Sequence, residues 1–263
     1  MATNGIQRIH DAFARARSEG RCALLPFVTG GYPSFEATER LLRELPGAGA
    51  DLIEVGFPFS DPIADGPVIA ESMHEALLAG ATPDAVFDTV ARAKPSVPVV
   101  AMVSISIVGR MGHEAFVRRA VDAGFSGFIV PDADPMAIEE LSRIAGAHGA
   151  GFCALIAPTT APARARALAA ASTGFIYLLA RVGVTGERSD APEIASRAAE
   201  VRALARVPIA AGFGISTREH VQAVGRHADG AIVGSAIVRQ MADAAKRGGD
   251  AAAAAIEMVR SLR

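Results

Sequence analysis

The stretch Asp51-Leu-Ile-Glu-Val-Gly-Phe57, continued by Pro58-Phe-Ser-Asp61-Pro-Ile-Ala-Asp65-Gly-Pro67, decides how the chain folds. Its first half is an apolar run of strand length carrying one carboxylate near its C-terminal end. Side chains alternate along a strand, so Glu54 shares a face with Leu52 and Gly56, while Ile53, Val55 and Phe57 take the other. Bulky residues on the second face fit a strand packed under helices, which leaves Glu54 facing the interior of a closed sheet. The second half is a loop stiffened by Pro58, Pro62 and Pro67 and freed at Gly66. A segment of helical period follows over residues 67–79.

The same strand–loop–helix unit repeats along the whole chain. Apolar runs at 22–29, 51–57, 97–104, 127–131, 151–157, 174–179, 207–211 and 230–233 read as strands. Helical periodicity follows them at 34–45, 67–79, 112–123, 135–147, 162–171, 192–205, 217–224 and 235–246. Residues 6–18 add a helix before the first strand, and 251–262 close the chain with another. Ser34, Asp134 and Ser216 stand where helix N-caps are needed. Eight units without a composition break predict an α/β fold, a (β/α)8 TIM barrel with an extra N-terminal helix, as one domain over 1–263. An open doubly wound sheet is the alternative.

Composition limits the function classes. Of 263 residues, 51% are hydrophobic, enough for a large core. The net charge of −2, from 26 basic and 28 acidic residues, offers no electrostatic case for nucleic acid or an anionic membrane. Arg164-Ala-Arg166 reads as a solvated helix face. Cys22 and Cys153 lie in apolar runs without a CxxC partner, so buried free thiols are expected, and neither a metal nor a redox site. No apolar stretch reaches membrane-spanning length and no signal core opens the chain, which fits a cytoplasmic protein.

A lone carboxylate in an apolar interior is costly, so stability alone does not place Glu54 there. Burial raises such a pKa toward the range useful for general acid–base work. The competing reading pairs Glu54 with an unseen Arg or Lys inside the barrel. Asp65, eleven residues on, is the candidate for a second catalytic carboxylate; alternatively it caps the helix near Pro67, and Asp61 starts a turn. Three late turns are glycine-rich: Gly183-Val-Thr-Gly186, Gly212-Phe-Gly-Ile-Ser216 and Gly234-Ser235. Backbone N–H groups at such turns, with helix N-termini behind the last two, suit a substrate phosphate. A dinucleotide fingerprint is not matched, because the third glycine is absent.

These residues resemble a known family. Ile53-Glu-Val-Gly-Phe-Pro-Phe-Ser-Asp61-Pro-Ile-Ala-Asp65-Gly-Pro67 is similar to the signature segment of the tryptophan synthase alpha chain. The likeness continues in Leu25-Pro-Phe-Val-Thr-Gly-Gly-Tyr-Pro33, Ala157-Pro-Thr-Thr160, Phe175-Ile-Tyr177, Gly183-Val-Thr-Gly186, Gly212-Phe-Gly-Ile-Ser216 and Val233-Gly-Ser-Ala-Ile237, in the family's order. The resemblance implies cleavage of indole-3-glycerol phosphate to indole and glyceraldehyde 3-phosphate without metal or organic cofactor. It implies that Glu54 moves protons at indole C3 and the glycerol hydroxyl, and that Asp65 stabilises charge at the indole nitrogen. Gly186, Gly214, Gly234 and Ser235 match phosphate-binding positions, and Tyr177 a tyrosine lining the pocket. Phe27, Met102, Ile129 and Phe213 are expected walls around the indole.

Departures from the family pattern are local. Tyr32 stands where an aspartate is usual, Ala70 where a glutamine is common, and Asp132-Ala-Asp134 where Asp-Leu-Pro is usual. Ser104 and Ser106 replace a tyrosine and an asparagine in a region the family uses against its partner, a pyridoxal-phosphate beta chain. Those two serines put association with a beta chain in doubt and raise the alternative of a free-standing lyase that releases indole. Two further alternatives are another phosphate-sugar lyase or isomerase on the same fold, and a weakly active subunit that mainly regulates a partner. A Schiff-base aldolase would need a lysine at a strand end, and Lys94 and Lys246 lie elsewhere.

Overall fold

The computed structural model describes residues 4–62, 65–179, 194–212 and 214–263. In chain order the first half runs α1 (Gly5–Ser18), β1 (Ala23–Thr29), α2 (Phe35–Ala48), β2 (Ile53–Gly56), α3 (Pro67–Leu78), α4 (Pro83–Ala93), β3 (Val99–Met102), α5 (Ile105–Met111), α6 (His113–Ala123) and β4 (Gly127–Ile129). The second half runs α7 (Pro135–Ala147), β5 (Gly151–Phe152), β6 (Leu155–Ile156), α8 (Pro162–Ala171), β7 (Ile176–Leu179), α9 (Ala195–Arg202), β8 (Ile209–Gly212), α10 (Arg218–Gly225), β9 (Gly230–Val233), α11 (Ser235–Lys246) and α12 (Ala251–Ser261).

All described strands pair in parallel, in the order β5-β4-β3-β2-β1-β9-β8-β7-β6. The two edges of this sheet, β5 and β6, are halves of a single crossing separated by Cys153 and Ala154. The Cys153 N–H donates to Phe128 of β4, and the Ala154 carbonyl accepts from Tyr177 of β7. Through these bonds the interrupted strand hands the ladder from one edge to the other, and the sheet closes as an eight-stranded barrel. The expected unbroken strand over 151–157 is corrected accordingly.

The period-2 reading of faces holds around the ring. Leu25, Leu52, Val100, Ile129, Cys153 and Phe175 fill the lumen, and α1 plugs its lower end with Ile9 and Phe13. The Phe13 and Phe175 rings meet at 5.7 Å between centroids. Ile53, Val55 and Phe57 pack outward under the helices, where Phe57 meets Phe87 at 5.2 Å and Phe116 and Phe125 at 5.8 Å each. Fully burying one such side chain is worth ~1.5–3 kcal/mol. Cys153 is fully buried and Cys22 only partly; both thiols are free.

Two helices escaped the sequence reading. Thr82 caps α4 by accepting from the Ala85 N–H, with Pro83 in the first turn, a start signal that follows closely on the preceding helix. The apolar run 97–104 predicts Ser104 as the end of the third strand; in the structure β3 stops at Met102 and Ser104 caps α5, its Oγ accepting from the Ser106 N–H. A short alternating run such as Ser104-Ile-Ser-Ile reads equally as strand, and only the side-chain bond ends the ladder. The expected cap Ser216 is displaced by one residue: Thr217 accepts from the His220 N–H at the start of α10. Ser34 and Asp134 cap α2 and α7 as expected. Among the described residues no helix is long and apolar enough to cross a membrane.

Candidate active site

Glu54 faces the barrel mouth from β2, in register with Phe27 of β1 and Val100 of β3. It is 1% exposed, and its Oε2 has no hydrogen-bond partner. Among the described residues no cation pairs with it. Loss of hydration, reinforced by the nearby Asp65 charge, raises its pKa from the ordinary carboxylate value to about 8. The ion-pair alternative for Glu54 therefore finds no partner among the described residues.

Asp65 stands where the proline-stiffened loop returns to α3. The α3 N-cap is Gly66, and the Asp65 side chain makes no capping bond to the first turn, so Asp65 does not serve as the cap. Burial raises its pKa to about 6. Both carboxylates open onto one cavity of about 430 Å³ at the C-terminal ends of the strands, a size suited to a small organic ligand. Asp61 lies exposed on its rim.

Aromatic walls are set by glycines. The Phe27 ring lies over Gly56, where a Cβ would stand 2.5 Å from its Cζ. Tyr177 lies over Gly212 in the same way, with its hydroxyl 2.5 Å from the position a Cβ would take. Burial, and then the Glu54 and Asp65 charges, push the Tyr177 phenol well above its ordinary pKa, so it remains a donor at neutral pH. Met102 completes this side of the cavity.

On the other side the cavity reaches Gly214, Gly234 and Ser235. Gly234 is the N-cap residue of α11, and no side chain caps that helix. Its first N–H groups meet no side-chain acceptor among the described residues, at the positive end of a twelve-residue helix. By contrast, α10 spends its own start on Thr217.

Glu54, Asp65, Phe27, Met102, Tyr177, Gly214, Gly234 and Ser235 therefore share one cavity. Ile129 does not join them: it is 0% exposed, packed in the lumen cluster with Val100 and Cys153. The turn 183–186, including Gly186, and Phe213 lie outside the described residues. Sequence reasoning missed Ile69 and Met73, which face the cavity one helical turn apart on α3, and Ile232 on β9. The i, i+4 spacing after Pro67 was the available signal for the first two. Lys94 ends α4 and Lys246 ends α11, away from the strand ends, so the Schiff-base alternative has no nucleophile at the mouth.

A closed α/β barrel whose mouth holds a buried carboxyl with no cationic partner among the described residues, and a second raised carboxyl in the same cavity, belongs to the class of α/β-barrel enzymes. Comparison with known proteins makes the class specific. The family model for the tryptophan synthase alpha chain matches residues 13–263. The alpha chain of Gloeobacter violaceus is 42% identical over 242 residues, covering 90% of this chain and 88% of that one. That of Deinococcus radiodurans is 39% identical over 267 residues, covering 100% and 97%. Among solved structures, the alpha subunit from Legionella pneumophila superposes with a TM-score of 0.88 at 30% identity, covering 97% and 96%. A Mycobacterium tuberculosis tryptophan synthase structure gives 0.87 at 32%, also covering 97% and 96%. The chain belongs to the tryptophan synthase alpha chain family. It is an indole-3-glycerol phosphate lyase, a carbon–carbon lyase of tryptophan biosynthesis.

Proposed function

We propose that Glu54 is the proton-transfer group of this lyase and Asp65 its electrostatic partner, within a single catalytic domain spanning residues 1–263. At neutral pH a carboxyl with a pKa near 8 is mostly protonated. Glu54 gives its proton to indole C3, and positive charge develops at the ring nitrogen. Asp65, ionised above about pH 6, stabilises that charge and accepts the ring N–H. The Glu54 carboxylate then takes the proton from the hydroxyl on the adjacent glycerol carbon. The C3–glycerol bond breaks, its electron pair restores the indole ring, and the hydroxyl carbon becomes the aldehyde. Glu54 ends as it began, so the cycle balances. Such general acid–base help contributes ~10²–10⁴-fold.

The substrate phosphate is assigned to the uncapped start of α11, held by backbone N–H groups around Gly234 and Ser235 with Gly214 opposite; Gly186 is assigned to the same cradle by family likeness. Phe27, Met102 and Tyr177 wall the ring, and Phe213 is assigned there by likeness alone. The observation that carries this reading is the partnerless Oε2 of a fully buried Glu54 inside a cavity shared with Asp65. Glu54→Gln tests it: indole release from indole-3-glycerol phosphate should be abolished while binding of glycerol 3-phosphate persists. Full turnover in that variant overturns the mechanism.

We place the enzyme in the cytoplasm, with a beta chain as the expected companion at the barrel's C-terminal rim. A second reading, a lyase that turns over without a beta chain, is favoured by one observation. Ser104 and Asp132 on that rim are bonded to each other within the isolated chain. Turnover of the purified chain alone distinguishes the two: near inertness until a beta chain is added rules out independence.

A further inference from the structure

Two of the chain's unusual rim positions have structural duties. Ser104, 9% exposed, donates from its Oγ to Asp132 Oδ2 at 2.6 Å. The Ile105 N–H donates to Asp132 Oδ1 at 2.9 Å. Both carboxylate oxygens are thus engaged by the loop after the neighbouring strand, since β3 and β4 pair with Met102 beside Ile129. The same Ser104 Oγ accepts from the Ser106 N–H at the start of α5. Two residues beyond Asp132, Asp134 accepts from the Ala137 N–H at 2.8 Å and ties the loop to α7. The β4–α7 loop is therefore held at two points, to α5 on one side and to α7 on the other.

Ser104 and Asp132 both line the catalytic cavity, between Met102 and Val103 on one strand end and Pro131 on the next. This wall joins the apolar side chains of Met102, Val103 and Pro131 to the Ser104–Asp132 pair. The anion-receptive start of α11 follows β9, with β2 and β1 standing between β9 and β3 in the sheet. A carboxylate whose oxygens are both occupied by protein donors is not placed there to receive a ligand proton. Its geometry fixes the spacing of two loops instead.

We propose that Asp132, through its latch to Ser104 and Ile105, is a positioning residue that makes the two loops one rigid wall and sets the width of the slot for the substrate's planar ring. This rests on the lyase reading of the site. It places the latch on recognition of the ring end of the substrate and leaves the phosphate end untouched. Charge-assisted hydrogen bonds of this length are among the stronger ones, and a loop released from two of them loses its fixed distance from the opposing wall.

The test is a double-mutant cycle of Ser104→Ala and Asp132→Ala in the full chain, with indole-3-glycerol phosphate turnover and competition by glycerol 3-phosphate as readouts. Asp132→Ala should raise KM for the whole substrate about tenfold with kcat little changed, as expected when a wall that contacts ground and transition states alike is loosened. The inhibition constant of glycerol 3-phosphate, which lacks the ring, should not change. Adding Ser104→Ala to Asp132→Ala should cost little more, because the pair acts as a unit. Asp132→Asn, which keeps an acceptor for the Ile105 N–H, should recover part of the loss. Additive single effects, equal weakening of both ligands or an unchanged KM each overturn the latch. A wild-type chain that releases no indole, with or without a beta chain, overturns the lyase reading instead, so the two failures are separable.

Discussion

Replacing Glu54 by glutamine should stabilise the barrel increasingly as pH rises, in the same variant that loses turnover. The wild-type carboxyl is buried with no cationic partner among the described residues and holds its proton to about pH 8, against an ordinary value of 4.5. Below pH 4.5 it is neutral in both folded and unfolded chains and leaves stability untouched. Above that, the unfolded chain loses its proton while the folded one retains it, so stability falls until the folded pKa is passed. Proton linkage puts the loss at about 3 kcal/mol at pH 7 and about 5 kcal/mol at pH 9. Because Glu54 is 1% exposed, solvent screening takes little from this. Glutamine keeps the shape and carries no charge, so the variant escapes the penalty. At ~2 °C per kcal/mol for a chain of this size, the variant should melt close to wild type at pH 5 and about 10 °C above it at pH 9. The chain has no tryptophan, so far-ultraviolet circular dichroism is the appropriate probe of melting. A difference in melting temperature that stays constant from pH 5 to 9 refutes the assignment of Glu54 as a buried neutral acid.

Further outcomes follow from the same geometry. The pH profile of kcat/KM should be bell-shaped, with an acid limb near 6 from Asp65 and an alkaline limb near 8 from Glu54; Asp65→Asn should lower kcat and remove the acid limb. Gly56→Ala drives a methyl to 2.5 Å from the Phe27 ring, which should cost ~1–3 kcal/mol of stability and weaken binding of the ring-bearing substrate, measured by melting and by KM. Ser235→Asp places an anion at the uncapped start of α11. It should stabilise that helix by ~0.3–1 kcal/mol while sharply weakening glycerol 3-phosphate binding, an opposition of sign that calorimetry and inhibition kinetics can read together. Phe13→Ala empties the lumen plug beneath Phe175 and should cost ~3–5 kcal/mol in denaturant unfolding with the catalytic residues unchanged.

Local rules carry a long way in this chain. The alternation of apolar runs with helical segments predicts the barrel, and two-residue periodicity alone turns Glu54 inward and Phe57 outward, as found. Ser34 and Asp134 are legible as caps because a capping bond joins residues three apart. Misreadings fall where local signals compete. Ser104-Ile-Ser-Ile satisfies both a strand pattern and a helix start, and the division of the fifth strand at Cys153 comes from hydrogen bonds to two different neighbours. Only the closed fold decides that Glu54 meets no cation among the described residues, that α10 but not α11 spends a side chain on its own start, and that Asp132 bonds across to Ser104. Each of those facts depends on groups brought together by the barrel from distant parts of the chain. Periodicity sets which way a side chain points; which groups face it across the lumen is set by the packing of the remaining strands.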